Sequence, residues 1–189
     1  MRRLLVLFAL LLTACTGGGA STTDSGPRPS PAPAFFDPCP APTGSAIEGG
    51  LPDLELPCLG TGPAVKLSAL RGPLVISVWA STCEPCVREV PLLQSFYEKA
   101  KGRVGVLGVD YEDSRDSAQD FAGHVGMTYP SVVDRDGDLR GHAPFVFPGL
   151  PFSVFVKADG TVASIHKIGA FRTAAELERT VREQLGVQL

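Results

Sequence analysis

The chain has 189 residues, of which 44% are hydrophobic and 20% are charged. This composition is typical of a globular protein with enough mass for one hydrophobic core. With 17 basic and 20 acidic residues, the formal net charge is −3. A mildly acidic chain has no electrostatic reason to bind nucleic acid, so we expect none among its partners.

Residues 1–14 have the order of features found in a bacterial signal peptide. A basic head, "MRR", precedes an apolar run at residues 4–12 that is too short to span a bilayer. The alternative, an N-terminal core helix, does not account for this order. Residues 12–15, "LTAC", resemble the lipobox, where a signal peptidase cleaves before the cysteine and the thiol is acylated. We therefore expect a lipoprotein, anchored through Cys15 on the extracytoplasmic face of the bacterial cell membrane.

A low-complexity segment follows Cys15. Residues 16–34 are mostly Gly, Ser, Thr, Pro and Ala, which cannot form a hydrophobic core. We interpret residues 15–44 as the lipidated cysteine and a tether, and residues 45–189 as one globular domain.

The globular part alternates strand-like and helix-like segments. Runs of branched apolar residues predict buried strands, and apolar residues at three- and four-residue steps predict helices. Ser114 can cap one helix, and Thr173 with Glu176 can form a capping box for the last one. In chain order we expect a strand at 72–80, a helix at 84–101, a strand at 103–110, a helix after Ser114, an extended piece at 129–134, a hairpin at 152–169 and a C-terminal helix. This order predicts an α/β protein with a mixed sheet covered by helices.

The five cysteines divide into three groups. Cys15 is assigned to the lipid, and Cys83 and Cys86 form a close C-x-x-C pair. Cys39 and Cys58 remain, both in Pro-rich segments that look like loops. Outside the cytosol thiols tend to oxidise, so we expect Cys39 and Cys58 to form a structural disulfide.

The C-x-x-C pair could be half of a zinc site, a structural staple or a redox dithiol. Structural zinc needs four ligands, typically in two close pairs, and the chain has only one such pair. The histidines show no ligand spacing either. We therefore expect no metal and no other cofactor, which leaves the staple and the redox dithiol.

Three features together resemble the thioredoxin fold, and within it the membrane-tethered TlpA/ResA-like thiol-disulfide oxidoreductases. A buried strand ends in "VWASTCEPC", with the dithiol at the start of a helix. Pro91 lies five residues after Cys86, where this fold kinks that helix. In "GLPFSVFVKADG", Pro151 precedes the hairpin, where the fold holds a cis proline that faces the dithiol. The resemblance covers about residues 48–186 and implies a thioredoxin-like mixed β-sheet flanked by helices on both faces.

The sequence departs from general thioredoxins at two positions. Ser77 stands where they carry a buried aspartate, and Thr82 stands where they carry a tryptophan. A cytosolic thioredoxin role is therefore not expected. The proton relay of that aspartate must come from elsewhere, and Glu89 is the candidate, since the ResA-like branch has an acid near its cysteines.

The position of the dithiol at a helix N-terminus predicts its chemistry. The positive end of the helix dipole lowers the pKa of a cysteine there, so Cys83 is the expected nucleophile. Cys86 lies one turn later on the same face and can resolve a mixed disulfide. Glu84 and Glu89 act in the opposite direction, because a nearby carboxylate disfavours a thiolate and makes the couple more reducing. The alternative is that both acids are merely solvated helix residues.

The resemblance assigns a substrate contact to the segment before the hairpin. A cis Leu150–Pro151 bond would expose the backbone of Leu150 for pairing with a substrate strand. The alternative for Pro151 is an ordinary proline at a strand entry.

We expect an extracytoplasmic thiol-disulfide oxidoreductase that reduces exported proteins through Cys83 and Cys86 and is recharged by a membrane electron donor. The resemblance implies apocytochrome c as one substrate. Two alternatives stay open. One is a disulfide-forming or isomerising enzyme with the same site, and the other is a non-catalytic binding lipoprotein with a C-x-x-C staple.

Overall fold

The computed structural model describes residues 35–165 and 169–189. The predicted signal peptide, Cys15 and the tether up to residue 34 lie outside the described residues, as does the end of the predicted hairpin. None of the helices in the described part of the chain has the length and hydrophobicity needed to cross a bilayer. The elements are β1 (Glu55–Leu56), β2 (Val65–Lys66), β3 (Leu74–Trp79), α1 (Glu84–Ala100), β4 (Gly105–Tyr111), α2 (Arg115–Val125), β5 (Ser131–Asp134), β6 (Phe152–Val156), β7 (Val162–Ile165) and α3 (Ala174–Leu185).

A five-stranded mixed sheet has the strand order β5-β4-β3-β6-β7, which confirms the predicted α/β class. The strands β3, β4 and β5 are parallel, whereas β6 runs antiparallel to β3 and β7 antiparallel to β6. The register pairs Trp79 with Asp110 and Ser77 with Ser153. The carboxyl ends of β3 and β4 and the start of β6 therefore meet at one edge of the sheet. The short β1 and β2 were not predicted and form a separate hairpin.

Side-chain caps set the starts of the helices where the sequence predicts them. Ser114 accepts a hydrogen bond from the backbone N–H of Ser117 at the start of α2, and Thr173 accepts one from Glu176 at the start of α3. The carboxylate of Glu176 reaches back to the N–H of Arg172, one residue before the cap. These caps satisfy amides that the helix leaves without a partner, which is why local sequence predicts them.

All three α-helices pack against one face of the sheet, where a core cluster contains Val90 of α1, Phe121 of α2 and Leu177 of α3. Crossovers between parallel strands are right-handed, and β3, β4 and β5 follow one another across the sheet, so α1 and α2 fall on the same side. The opposite face is covered by the β1-β2 hairpin, a short 3-10 turn at Leu67–Ala69 and a loop that contributes Leu139. In the part of the chain that the structure describes, the three α-helices lie on one face of the mixed sheet, and the helical element on the other face is this 3-10 turn.

Residues 35–44, which the sequence analysis assigns to the tether, contact the rest of the domain. Phe36 and Cys39 are buried, and Phe36 belongs to the helix-side core. The backbone N–H of Asp37 donates to the carbonyl of Thr128, and the hydroxyl of Tyr97 donates to the Asp37 carboxylate. The composition of residues 35–44 resembles a linker, but these long-range contacts attach the segment to the domain.

Candidate active site

The dithiol lies at the carboxyl edge of the sheet, four residues beyond the end of β3 at Trp79. Cys83 is the N-cap of α1, and its sulfur accepts a hydrogen bond of 3.2 Å from the backbone N–H of Cys86. Pro85 stands in the first helical turn, where no amide donor is needed. Cys83 and Cys86 are joined in a disulfide in this structure.

The two sulfurs of this pair have different access to solvent. Cys83 is partly exposed, whereas Cys86 has 0% exposure and belongs to the helix-side core. An incoming sulfur can therefore reach Cys83 and not Cys86. This asymmetry agrees with the order of roles expected for nucleophile and resolving cysteine.

Glu89 is the buried acid of the site. It is 1% exposed, and its two carboxylate oxygens are held separately. Oε1 accepts a 3.0 Å hydrogen bond from the backbone N–H of Phe171, and Oε2 accepts a 3.4 Å bond from the hydroxyl of Ser77. Burial raises the pKa of Glu89 to about 7, and the bonds from Phe171 and Ser77 oppose that rise. The Glu89 carboxyl belongs to α1 and contacts Ser77 of β3. Ser77 is the strand position where general thioredoxins carry their aspartate.

Glu84 is not brought into the buried part of the site. Its side chain is 84% exposed and forms a 2.7 Å ion pair with Arg88, one turn further along α1. Solvent and salt screen such a charge, so its influence on the thiols is small. Of the two acids singled out from the sequence, only Glu89 lies in the core.

Pro151 lies at the same edge as the dithiol. The Leu150–Pro151 bond is cis, and the next residue, Phe152, pairs with Val78 near the end of β3. Pro151 is buried and Leu150 is partly exposed, so the backbone before β6 borders the edge that carries Cys83. Two further cis bonds, Gly72–Pro73 and Ala143–Pro144, were not predicted.

Asp110 is a second buried acid, and the sequence interpretation missed it. It ends the apolar run of β4 beside Trp79, and neither carboxyl oxygen has a hydrogen-bond partner in the described structure. Burial raises its pKa to about 8, and the charge of Asp113 adds to the rise. An aspartate at the carboxyl end of a parallel strand is the feature that could have identified it. Trp79 is fully buried and stacks on Phe121 at 5.0 Å, as expected of a core residue.

A second disulfide joins Cys39 and Cys58. Both cysteines are buried in the core on the sheet face opposite α1. The backbone of Cys58 forms a bridge to Val132 of β5, so the disulfide links the N-terminal segment to the sheet. Among residues 35–165 and 169–189, no three His, Cys, Asp or Glu side chains are grouped to hold a metal ion.

A groove opens beside the dithiol, and we call it the basic groove. It has a volume of about 370 Å³. Its lining residues are Pro85, Arg88, Gly169, Ala170, Phe171 and Arg172. The segment 169–172 therefore has two roles, since it forms one wall of the groove and supplies the amide that holds Glu89.

Fold and site together define the class of the protein. A C-x-x-C pair at the N-terminus of a helix, on a mixed sheet with a cis proline at the same edge, is the arrangement of the thioredoxin-like thiol-disulfide oxidoreductases. Comparison with known proteins shows the family of the chain. The model of the AhpC/TSA family matches residues 47–165, and the chain belongs to that family.

The relatives agree with this class. The thiol:disulfide interchange protein CycY of Rhizobium leguminosarum bv. viciae is 36% identical over 104 residues, which are 54% of this chain and 54% of CycY. The chain thus spans about half the length of this curated relative. A solved Chlorobium tepidum protein, assigned as the thiol:disulfide interchange protein DsbE, is 28% identical with a TM-score of 0.62, covering 75% of this chain and 100% of that one. A secreted Mycobacterium tuberculosis disulfide oxidoreductase shares the fold, with 23% identity, a TM-score of 0.59 and coverage of 69% and 96%.

Proposed function

We propose that this chain catalyses thiol-disulfide exchange with exported proteins and acts as a reductant through Cys83 and Cys86. One observation carries the proposal. The first turn of α1 presents one accessible sulfur and one buried sulfur, and a buried carboxyl lies three residues further on the same helix. A structural staple needs neither the difference in access nor the acid.

In the first step, the reduced Cys83 attacks a sulfur of the substrate disulfide as a thiolate. The amide of Cys86 and the N-terminus of α1 stabilise the negative charge on this sulfur. The Cys83–substrate S–S bond forms, the substrate S–S bond breaks, and one substrate sulfur leaves as a thiolate.

In the second step, Cys86 resolves the mixed disulfide. Its thiol must first lose a proton, and Glu89, one turn away on the same buried side, can accept that proton directly or through one water. A pKa of about 7 suits a group that takes and returns a proton near neutral pH. The Cys86 thiolate then attacks the Cys83 sulfur, the internal disulfide forms, and the second substrate sulfur leaves. Two electrons have passed to the substrate.

Glu89 also supports the direction of electron flow. When ionised, its charge disfavours a thiolate on the neighbouring cysteines and raises their pKa. A less stabilised thiolate makes the reduced form less favoured, so the couple becomes a better electron donor. Glu84 is too exposed to raise the pKa of the thiols appreciably, so we assign this effect to Glu89 alone.

The proposed setting is the extracytoplasmic face of the membrane. Acylation of Cys15 and the Pro-rich segment after it would hold the domain near the bilayer, where a membrane dithiol donor recharges it. An apocytochrome c with a C-x-x-C-H segment is the substrate that the family resemblance favours. Labelling with a radioactive fatty acid should mark the wild type and not a Cys15→Ala variant, and equal labelling would contradict the anchor.

Trapping tests the roles of the cysteines. In a Cys86→Ser variant the mixed disulfide cannot be resolved, so covalent complexes with substrate should accumulate in cells and be identified by mass spectrometry. Cys83→Ser is the matched control and should trap nothing. Equal trapping by both variants, or by neither, would refute the assignment of Cys83 as nucleophile and support a staple.

The reduction potential tests the direction. Equilibration in redox buffers should give a value more negative than about −200 mV, on the thioredoxin side of the known range. A value near about −120 mV, that of the oxidant DsbA, would instead support the disulfide-forming alternative.

A further inference from the structure

We propose that the basic groove binds a carboxylate-bearing segment of the substrate polypeptide, next to the disulfide that Cys83 attacks. This binding rests on the proposed function, and it specifies which substrates the active site selects. A protein of this kind would reduce disulfides with acidic neighbours faster than the same disulfides with basic neighbours.

The position of the groove decides which part of a substrate reaches it. The groove begins at Pro85, which stands between the two cysteines, and extends to the segment before α3. A polypeptide whose sulfur contacts Cys83 must place its flanking residues within a few ångströms of Pro85. The occupant is therefore the chain that flanks the reacting disulfide.

The size of the groove fits such a segment. A volume of about 370 Å³ lies at the lower end of the range for small-ligand sites. It has room for one acidic side chain with its adjoining backbone, and not for a folded element.

The charge of the lining favours an anion. Among the described residues that line it, the charged ones are Arg88 and Arg172 and none is acidic, although the whole chain has a net charge of −3. The guanidinium of Arg172 makes no hydrogen bond or ion pair with any residue of the described structure. Only its backbone N–H is engaged, by Glu176.

Arg88 is also available to a ligand. Its ion pair with Glu84 lies in solvent, with side-chain exposures of 63% and 84%. Exposed pairs of this kind contribute little to stability and exchange partners readily. A substrate carboxylate can therefore contact both guanidinium groups without breaking a buried interaction.

The test uses three disulfide peptides that are identical except for the two residues flanking the disulfide, which are Glu, Gln or Lys. Single-turnover rates are measured with the reduced protein at low salt. We expect the wild type to reduce the Glu peptide faster than the Lys peptide. Arg172→Gln should lower that Glu-to-Lys ratio about threefold, and the double variant with Arg88→Gln about tenfold, from the usual strength of exposed ion pairs.

Arg179→Gln is the matched control, because Arg179 is an exposed arginine of α3 whose ion pair is with Glu183, outside the groove. Its ratio should equal that of the wild type, and 0.5 M NaCl should reduce the wild-type preference. If the double variant keeps the wild-type Glu-to-Lys rate ratio, or if the wild type prefers the Lys peptide, the basic groove does not bind a substrate carboxylate and the proposal is wrong. Failure to reduce any of the three peptides would instead refute the proposed function, on which the groove depends.

Discussion

Replacing Glu89 by glutamine is expected to flatten the pH dependence of folding stability. Glutamine keeps the shape of the side chain. Its carbonyl oxygen can accept the N–H of Phe171, and its amide can donate to the hydroxyl of Ser77, the two groups that hold the carboxylate. The variant therefore removes the titrating proton and leaves the packing and both contacts in place.

The magnitude follows from the pKa. Burial raises the pKa of Glu89 from 4.5 to about 7, and each pKa unit corresponds to about 1.4 kcal/mol. Because the folded state binds this proton more tightly than the unfolded state, the stabilisation is complete below pH 4.5 and is lost as the pH rises through 7. Relative to Glu89→Gln, the wild type should lose about 3 kcal/mol of unfolding free energy as the pH rises from 4.5 to above 7.

Urea unfolding of the oxidised proteins between about pH 4 and pH 8.5 measures this difference, and the disulfides keep the thiols from titrating. Subtracting the unfolding free energy of the variant from that of the wild type at each pH cancels the contributions of the other titrating groups. Glu84→Gln is the matched control, because it removes an exposed carboxyl from the same helix. If the Glu89→Gln difference is constant with pH, Glu89 titrates as an ordinary surface acid and its assigned place in the mechanism is wrong.

Three further outcomes are expected. Asp110→Asn should gain more than about 1 kcal/mol of stability relative to the wild type between pH 4 and pH 8, since burial raises the pKa of Asp110 to about 8; parallel urea curves would contradict this. Replacing Cys39 and Cys58 by serine should cost about 3 kcal/mol in urea unfolding, because a cross-link with a sequence separation of 19 is lost; an unchanged midpoint would exclude a structural role. Phe36→Ala should cost about 3 kcal/mol by the same assay if Phe36 belongs to the core, and nothing if it belongs to a tether.

Much of the local structure could be predicted from the sequence because neighbouring residues determine it. Ser114 and Thr173 cap helices by bonding to amides three residues away. Cys83 and Cys86 share a helix face because their spacing is close to one turn. By contrast, the opposite face of the sheet could not be predicted, because the 3-10 turn and the loop that contributes Leu139 have no periodic pattern.

By itself, the sequence determined the dithiol, its position at the start of α1 and the thioredoxin-like class. Only the tertiary structure decided which of the two acids is buried. Glu84 and Glu89 lie on the same helix, and composition does not distinguish them. Glu89 is buried, and its carboxylate accepts a hydrogen bond from the amide of Phe171, 82 residues further along the chain. Burial is set by such distant segments, and it is burial that raises the pKa of a carboxyl into the range where it can exchange a proton with a thiol.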